Sequence, residues 1–104
     1  MCRVVLGDCM SLFDLTGFQR DLLVVISGLE RPSGQTIKEH IEDDADIEVN
    51  HGRLYPNLDT LVNQGYVEKG ELDRRTNYYA ISDAGKRALR ERDEWQHTYI
   101  DEVI

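Results

Sequence analysis

Pro56 stands inside an apolar pattern of helical spacing, and that placement fixes where one helix must begin. Leu54, Leu58, Leu61 and Val62 recur at the three- and four-residue intervals of a buried stripe, and Gly65 follows as a left-handed stop. A proline lacks the amide hydrogen that a helix interior needs, so it fits only in a first turn, where that amide would have no partner. The helix therefore starts just before it, near Asn50 to Gly52. On its wheel Arg53, Asn57, Thr60 and Gln64 lie away from the leucines, giving a polar, acid-poor face suited to the edges of bases. His51 falls near the leucine stripe, yet in a first turn it could equally face a phosphate or a base.

Two extended runs follow at once, Tyr66 to Glu71 and Thr76 to Ile81, rich in Tyr, Val, Thr and Ile and separated by Leu72-Asp73-Arg74-Arg75. They read as a β-hairpin with two adjacent arginines at its tip. Upstream, Thr16-Gly17-Phe18-Gln19 has the form of a capping box, in which the Thr16 hydroxyl and the Gln19 side chain satisfy free amides reciprocally. It opens a helix with Phe18, Leu22, Val25, Ile26 and Leu29 on one stripe, closed by Glu30-Arg31-Pro32-Ser33-Gly34. A shorter helix is expected from about Gly34 to Asp44, with Ile37 and Ile41 inward and Lys38, Glu39 and Glu42 outward. Residues 42 to 48 include five acids, a run without the glycine and ligand spacing of a calcium loop, read as solvated surface.

Ser82 offers an N-cap to a last helix running through Trp95, Tyr99 and Val103. At about 100° per residue Ala84, Ala88, Leu89, Trp95, Tyr99, Ile100 and Val103 span an arc of about 160°. So small a domain cannot cover so wide a stripe. A helix from a second copy is its natural cover, with Trp95 and Tyr99 as anchors.

Helix, helix, helix, hairpin, helix is the order of a winged helix, with the third helix as reader and the hairpin as wing. The fold class is accordingly α+β, mainly helical: a winged helix-turn-helix of three helices and a β-hairpin, plus a long C-terminal dimerisation helix. Residues 1–14 are expected to form an N-terminal extension, 15–81 the winged-helix DNA-binding domain and 82–104 the dimerisation helix. A chain of 104 residues has room for one core. No apolar run approaches the roughly 18 residues of a membrane span, and residues 1–10 are too broken by charge for a signal peptide's core. A cytoplasmic protein without membrane partners is expected, with Met10 an alternative start to Met1.

The net charge of −8 argues against a DNA binder, because neutralised phosphates usually supply much of the affinity. The acids are unevenly spread, however. Residues 1–49 carry 10 acids and 4 bases, residues 50–79 carry 4 of each, and residues 80–104 carry 6 acids and 4 bases. The segment of reader and wing is the least acidic. Nine arginines against three lysines, with abundant Asp and Glu, suggest adaptation to high salt, where charge is screened within roughly 3 Å at about 1 M. An acidic protein from an ordinary salt environment is the alternative.

The stretch from Gly52 to Val67, with Leu54-Tyr55-Pro56, a leucine-bearing helix and Gly65 before an apolar strand start, resembles PadR-type transcriptional regulators. Arg74 to Gly85 resembles the same family's wing and entry to the dimerisation helix. The likeness extends over about residues 15 to 100, and the acidic composition resembles haloarchaeal members. It implies a homodimer on a two-fold-related operator in double-stranded DNA, usually as a repressor, without a cofactor. A single C-terminal helix leaves no room for a large effector-binding domain.

In that frame the expected DNA contacts are Asn50, His51, Gly52, Arg53, Tyr55 and Asn57 on the reader, Arg74 and Arg75 on the wing, and Thr36 and Lys38 on the second helix. Arg53 is the best candidate for a guanine edge, and the wing arginines for phosphate or the minor groove. Ala88, Leu89, Trp95, Tyr99 and Val103 are the expected dimer contacts. Simpler readings exist: Tyr55 and Pro56 shape the helix start, with Tyr55 packed on the wing, and the arginines are ordinary surface. An enzyme is disfavoured, since His40, His51 and His97 fall in different elements and no phosphate loop or activated nucleophile is visible. Cys2 and Cys9 have no zinc-site spacing and read as incidental thiols, with a thiol sensor the minority reading. The stronger rival is a winged-helix module that binds protein, for which the reader's outer face would be apolar.

Overall fold

A computed structural model describes residues 12–103. Cys2, Cys9, Met1 and Met10 lie outside the described residues. A 3₁₀ turn, Leu12–Asp14, precedes α1 (Gly17–Ser27), α2 (Gly34–Ala45), α3 (His51–Asn63), the hairpin strands β1 (Val67–Asp73) and β2 (Thr76–Ile81), and α4 (Asp83–Ile100).

Local chemistry sets most of these boundaries. The Thr16 hydroxyl accepts from the Gln19 amide at 3.1 Å while Gln19 Oε1 accepts from the Thr16 amide at 3.0 Å, which closes the capping box of α1. Ser33, Asn50 and Ser82 cap α2, α3 and α4 in the same way, each accepting an amide three residues on. Gly65 leaves α3 at φ +84°, a conformation open to glycine at no steric cost. Asp46 ends α2 at φ +57°, which a short polar side chain tolerates. Residues 43 to 48 are exposed, in keeping with a solvated acidic run.

One core joins the helices to the hairpin. Leu22, Leu23 and Ile26 of α1, Ile37 of α2 and Leu54, Leu58 and Leu61 of α3 are fully enclosed, each stabilising the fold by roughly 1.5–3 kcal/mol. Leu12 and Leu15 are buried too, so the packed structure begins before residue 15. Arg20 explains this, since its guanidinium donates to the carbonyls of Leu12 and Leu15 at 2.9 Å and ties the 3₁₀ turn to α1.

The strands pair antiparallel from Val67↔Ile81 to Asp73↔Thr76, with an irregularity between Glu71 and Asp73. Tyr66, expected to start the first strand, is buried just ahead of it. The Tyr79 amide donates to the Pro32 carbonyl at 2.9 Å and Ser33 bridges to Tyr78, so the hairpin is fastened to the α1–α2 loop. At the other end, the Ser82 hydroxyl donates to the Gly65 carbonyl at 2.6 Å, holding the start of α4 against the end of α3.

The last helix ends earlier than expected. It stops at Ile100, and Val103 lies in a following turn. Among the described residues no helix is long and apolar enough to cross a membrane, and no group of three or more His, Cys, Asp or Glu side chains could hold a metal ion.

Candidate nucleic-acid interface

α3 presents a different stripe to solvent from the one its wheel suggests. His51, Gly52, Arg53, Tyr55, Pro56, Asp59 and Asn63 are exposed, whereas Asn57, Thr60 and Gln64 are half-buried. At Asn57 the cause is α1, which reaches it from Gln19. Gln19 Nε2 donates to Asn57 Oδ1 at 2.8 Å, and Asn57 Nδ2 donates to the Arg53 carbonyl at 2.7 Å. Both ends of the Asn57 amide are thus used inside the protein. Thr60 spends its hydroxyl on the Pro56 carbonyl at 3.1 Å. The outward face is also less free of acid than expected, because Asp59 belongs to it and pairs loosely with Lys69 at 3.8 Å.

Arg53 remains exposed at the reader's first turn, but it is not a free arm. Its guanidinium lies over the Phe18 ring of α1, 3.9 Å from the centroid, a cation–π contact that holds the side chain against α1. His51 is exposed, away from the core, and meets Tyr55 edge-on with ring centroids 5.6 Å apart. Gly52 has open space around it, with only the Asn50 side chain in van der Waals reach of an added Cβ.

The other expected contacts divide into two groups. Arg75 and Tyr55 border one cleft of about 270 Å³ together with Ser33, Gly34, Gln35, Thr76, Asn77 and Tyr79. That cleft brings together the start of α2, the reader and the wing. Tyr55 crosses it so closely that a Cβ at Gly34 would meet its hydroxyl at 2.6 Å, so the tyrosine packs against the start of α2 while staying partly exposed. Arg74 is exposed at the turn, and the Arg75 amide donates to the Asp73 carboxylate at 2.9 Å, which shapes the tip. Thr36 lies half-buried, its hydroxyl accepting from Ser33 at 3.1 Å.

Lys38 does not stand outward as expected. It pairs with Glu42 at 3.1 Å, both half-buried, and Glu42 also accepts the Val49 amide at 2.9 Å. The Val49 amide first, and then Lys38, hold the Glu42 carboxyl below its ordinary range. The pair braces the α2–α3 connection. Gln35 and Asn77 were not singled out in the sequence, yet both line the cleft. Gln35 could have been found from Ser33, whose cap puts it in the first turn of α2.

The expected dimer residues also separate. Ala88 is only 8% exposed and belongs to the core, with Leu89 packed against it. Trp95 and Tyr99 are 41% and 69% exposed. Trp95 meets Phe13 edge-on at 5.0 Å and Tyr99 at 5.6 Å, with Arg92 over the Trp95 ring at 4.7 Å.

Residues 22–91 match the model of the transcriptional regulator PadR-like family. Among solved structures, RosR of H. salinarum grown from NaBr is 50% identical over 85% of this chain and 79% of its own, with a TM-score of 0.79. The complex structure of hsRosR-SG gives 49% identity over 86% and 80%, with a TM-score of 0.81. The protein smu.1704 from Streptococcus mutans UA159, at 22% identity over 79% and 78% and a TM-score of 0.61, shares the fold. Among curated proteins no significant match was found.

Proposed function

The chain belongs to the transcriptional regulator PadR-like family, and from that premise we propose that it acts as a homodimer, without enzymatic activity or cofactor, on a two-fold-related operator in double-stranded DNA. The observation that carries this reading is the shared cleft, where the start of α2, the reader's Tyr55 and the wing's Arg75 meet on one surface. A duplex offers bases in the major groove and phosphates on either side, so it needs a reader and two flanking backbone contacts side by side. The first turn of α3, with His51, Gly52 and Arg53 exposed, is the reading end. Arg74 and Arg75 reach the backbone or minor groove, and Thr36 and Gln35 flank the opposite strand from α2. Lys38 is already paired with Glu42.

Dimerisation rests on the outer half of α4. Trp95 and Tyr99 are exposed there, Val103 is exposed in the turn that follows, and Val24 of α1 is a further exposed apolar side chain. Two such surfaces facing each other across a two-fold axis would set two readers at the spacing of operator half-sites. Repression follows most simply, by occupation of the operator. Selection of bound duplexes from a random pool, at low and high salt, tests the proposal. A two-fold-symmetric site should be enriched; failure to enrich any duplex would mean that the fold serves protein interaction.

A further inference from the structure

Two adjacent residues of α1, outside the cleft, hold the reader's first turns. Phe18 lies beneath the Arg53 guanidinium at 3.9 Å, and Gln19 donates to Asn57 at 2.8 Å. The Gln19 amide can serve in only one orientation. Its Oε1 already accepts from the Thr16 amide at 3.0 Å, so Nε2 must face α3. Asn57 is fixed in turn, because its Nδ2 donates to the Arg53 carbonyl at 2.7 Å and its Oδ1 receives Gln19. A chain of directed bonds thus runs from the cap of α1 to the backbone of Arg53, the residue assigned to base reading.

We propose that Gln19 is a positioning residue for sequence readout: through Asn57 it sets the rotation of the reader helix about its own axis, while Phe18 aims Arg53. The inference rests on the DNA-reading assignment of α3. A base contact requires a donor pair aligned with a base edge, so a small rotation of the helix spoils discrimination while leaving backbone attraction in place.

The two arms of the α1 cap allow stability to be separated from positioning. Gln19→Glu keeps an oxygen for the Thr16 amide but sets a carboxylate against Asn57 Oδ1, where a donor is needed. Thr16→Ala removes the other arm of the cap and leaves the Gln19–Asn57 bond. Both should lower Tm by a few degrees, since each removes one hydrogen bond, between α1 and α3 in the first variant and within the cap in the second. Affinities of each variant for a duplex selected by the wild-type protein, and for its scrambled counterpart, then decide. Gln19→Glu should cut the ratio of the two affinities by about tenfold, the expected effect of one misdirected, half-buried polar contact, while Thr16→Ala leaves it unchanged. Phe18→Leu, which keeps apolar volume but removes the ring beneath Arg53, should also lower the ratio. If Gln19→Glu discriminates as well as wild type, or if the ratio falls equally in Thr16→Ala, positioning by Gln19 is overturned and the DNA-reading assignment stands. If the wild-type protein itself does not discriminate, that assignment fails and this inference with it.

Discussion

An added methyl at Gly85 would press into the Tyr66 carbonyl and the Ile81 side chain, because Ser82 folds the start of α4 onto the end of α3. Backbone cannot step aside as a flexible side chain does, so Gly85→Ala should lose about 1–2 kcal/mol of stability despite better helix propensity, as denaturant unfolding would record. Gly52 has the opposite surroundings. Gly52→Ala meets nothing closer than the Asn50 side chain at 3.4 Å and should gain about 0.4–1 kcal/mol, yet bind duplex more weakly by holding the reader off the backbone. A variant gaining both stability and affinity would remove Gly52 from the interface. At this scale the sequence was legible wherever the chemistry is local. Thr16, Gln19 and Ser82 act as caps, and Gly65 adopts the positive φ its position demanded. It was illegible wherever a side chain answers to a distant neighbour: nothing near Asn57 announces that its amide is spent on Gln19, 38 residues away.

Elements are delimited by periodicity, and their order could be read directly, but their orientation depends on what packs beside them. A wheel built on Leu54, Leu58 and Leu61 finds the buried stripe of α3 without telling which polar positions its neighbours cover, so it turns outward Asn57, Thr60 and Gln64, which are half-buried. α4 shows the same limit, with Ala88 counted in a dimer stripe that the domain core already claims. The outer half of α4 carries a testable electrostatic feature. His97 Nδ1 lies 2.8 Å from Asp101 and Nε2 lies 3.5 Å from Asp93, an arrangement that favours the protonated ring, which faces both carboxylates with a donor. The Asp101 hydrogen bond, followed by the charges of Asp93 and Asp101, raises the His97 pKa above 6.5. A raised folded-state pKa contributes stability that is complete below 6.5 and fades as pH rises through the higher folded value. Helicity of the wild-type protein relative to His97→Gln should therefore be greatest below that pH and converge at alkaline pH; a difference that grows with pH would contradict the clamp.

For the whole molecule, a net charge of −8 has to coexist with attraction to a polyanion, and the proposed solution is spatial. The acids gather on α2 and the α2–α3 connection, while the reader and wing, where acids and bases balance, expose Arg53, Arg74 and Arg75. The proposed dimer places two such faces on one duplex. Trp95→Ala should weaken it by roughly 2 kcal/mol or more, because the ring is an anchor and also covers Phe13 within its own protomer. Light scattering that finds the wild-type protein monomeric at micromolar concentration would contradict this. The central claim is that α3 reads bases while the wing holds the backbone, and the two jobs fail differently. Equilibrium binding of a selected duplex and its scrambled counterpart, across a salt series, tests it for Arg53→Ala and for Arg74→Ala or Arg75→Ala. Arg53→Ala should cost about 1–3 kcal/mol of discrimination, whereas each wing variant should weaken both duplexes alike and lower the salt slope by about one. Equal weakening of both duplexes by Arg53→Ala, with selective loss of the selected duplex by a wing variant, would reverse the roles.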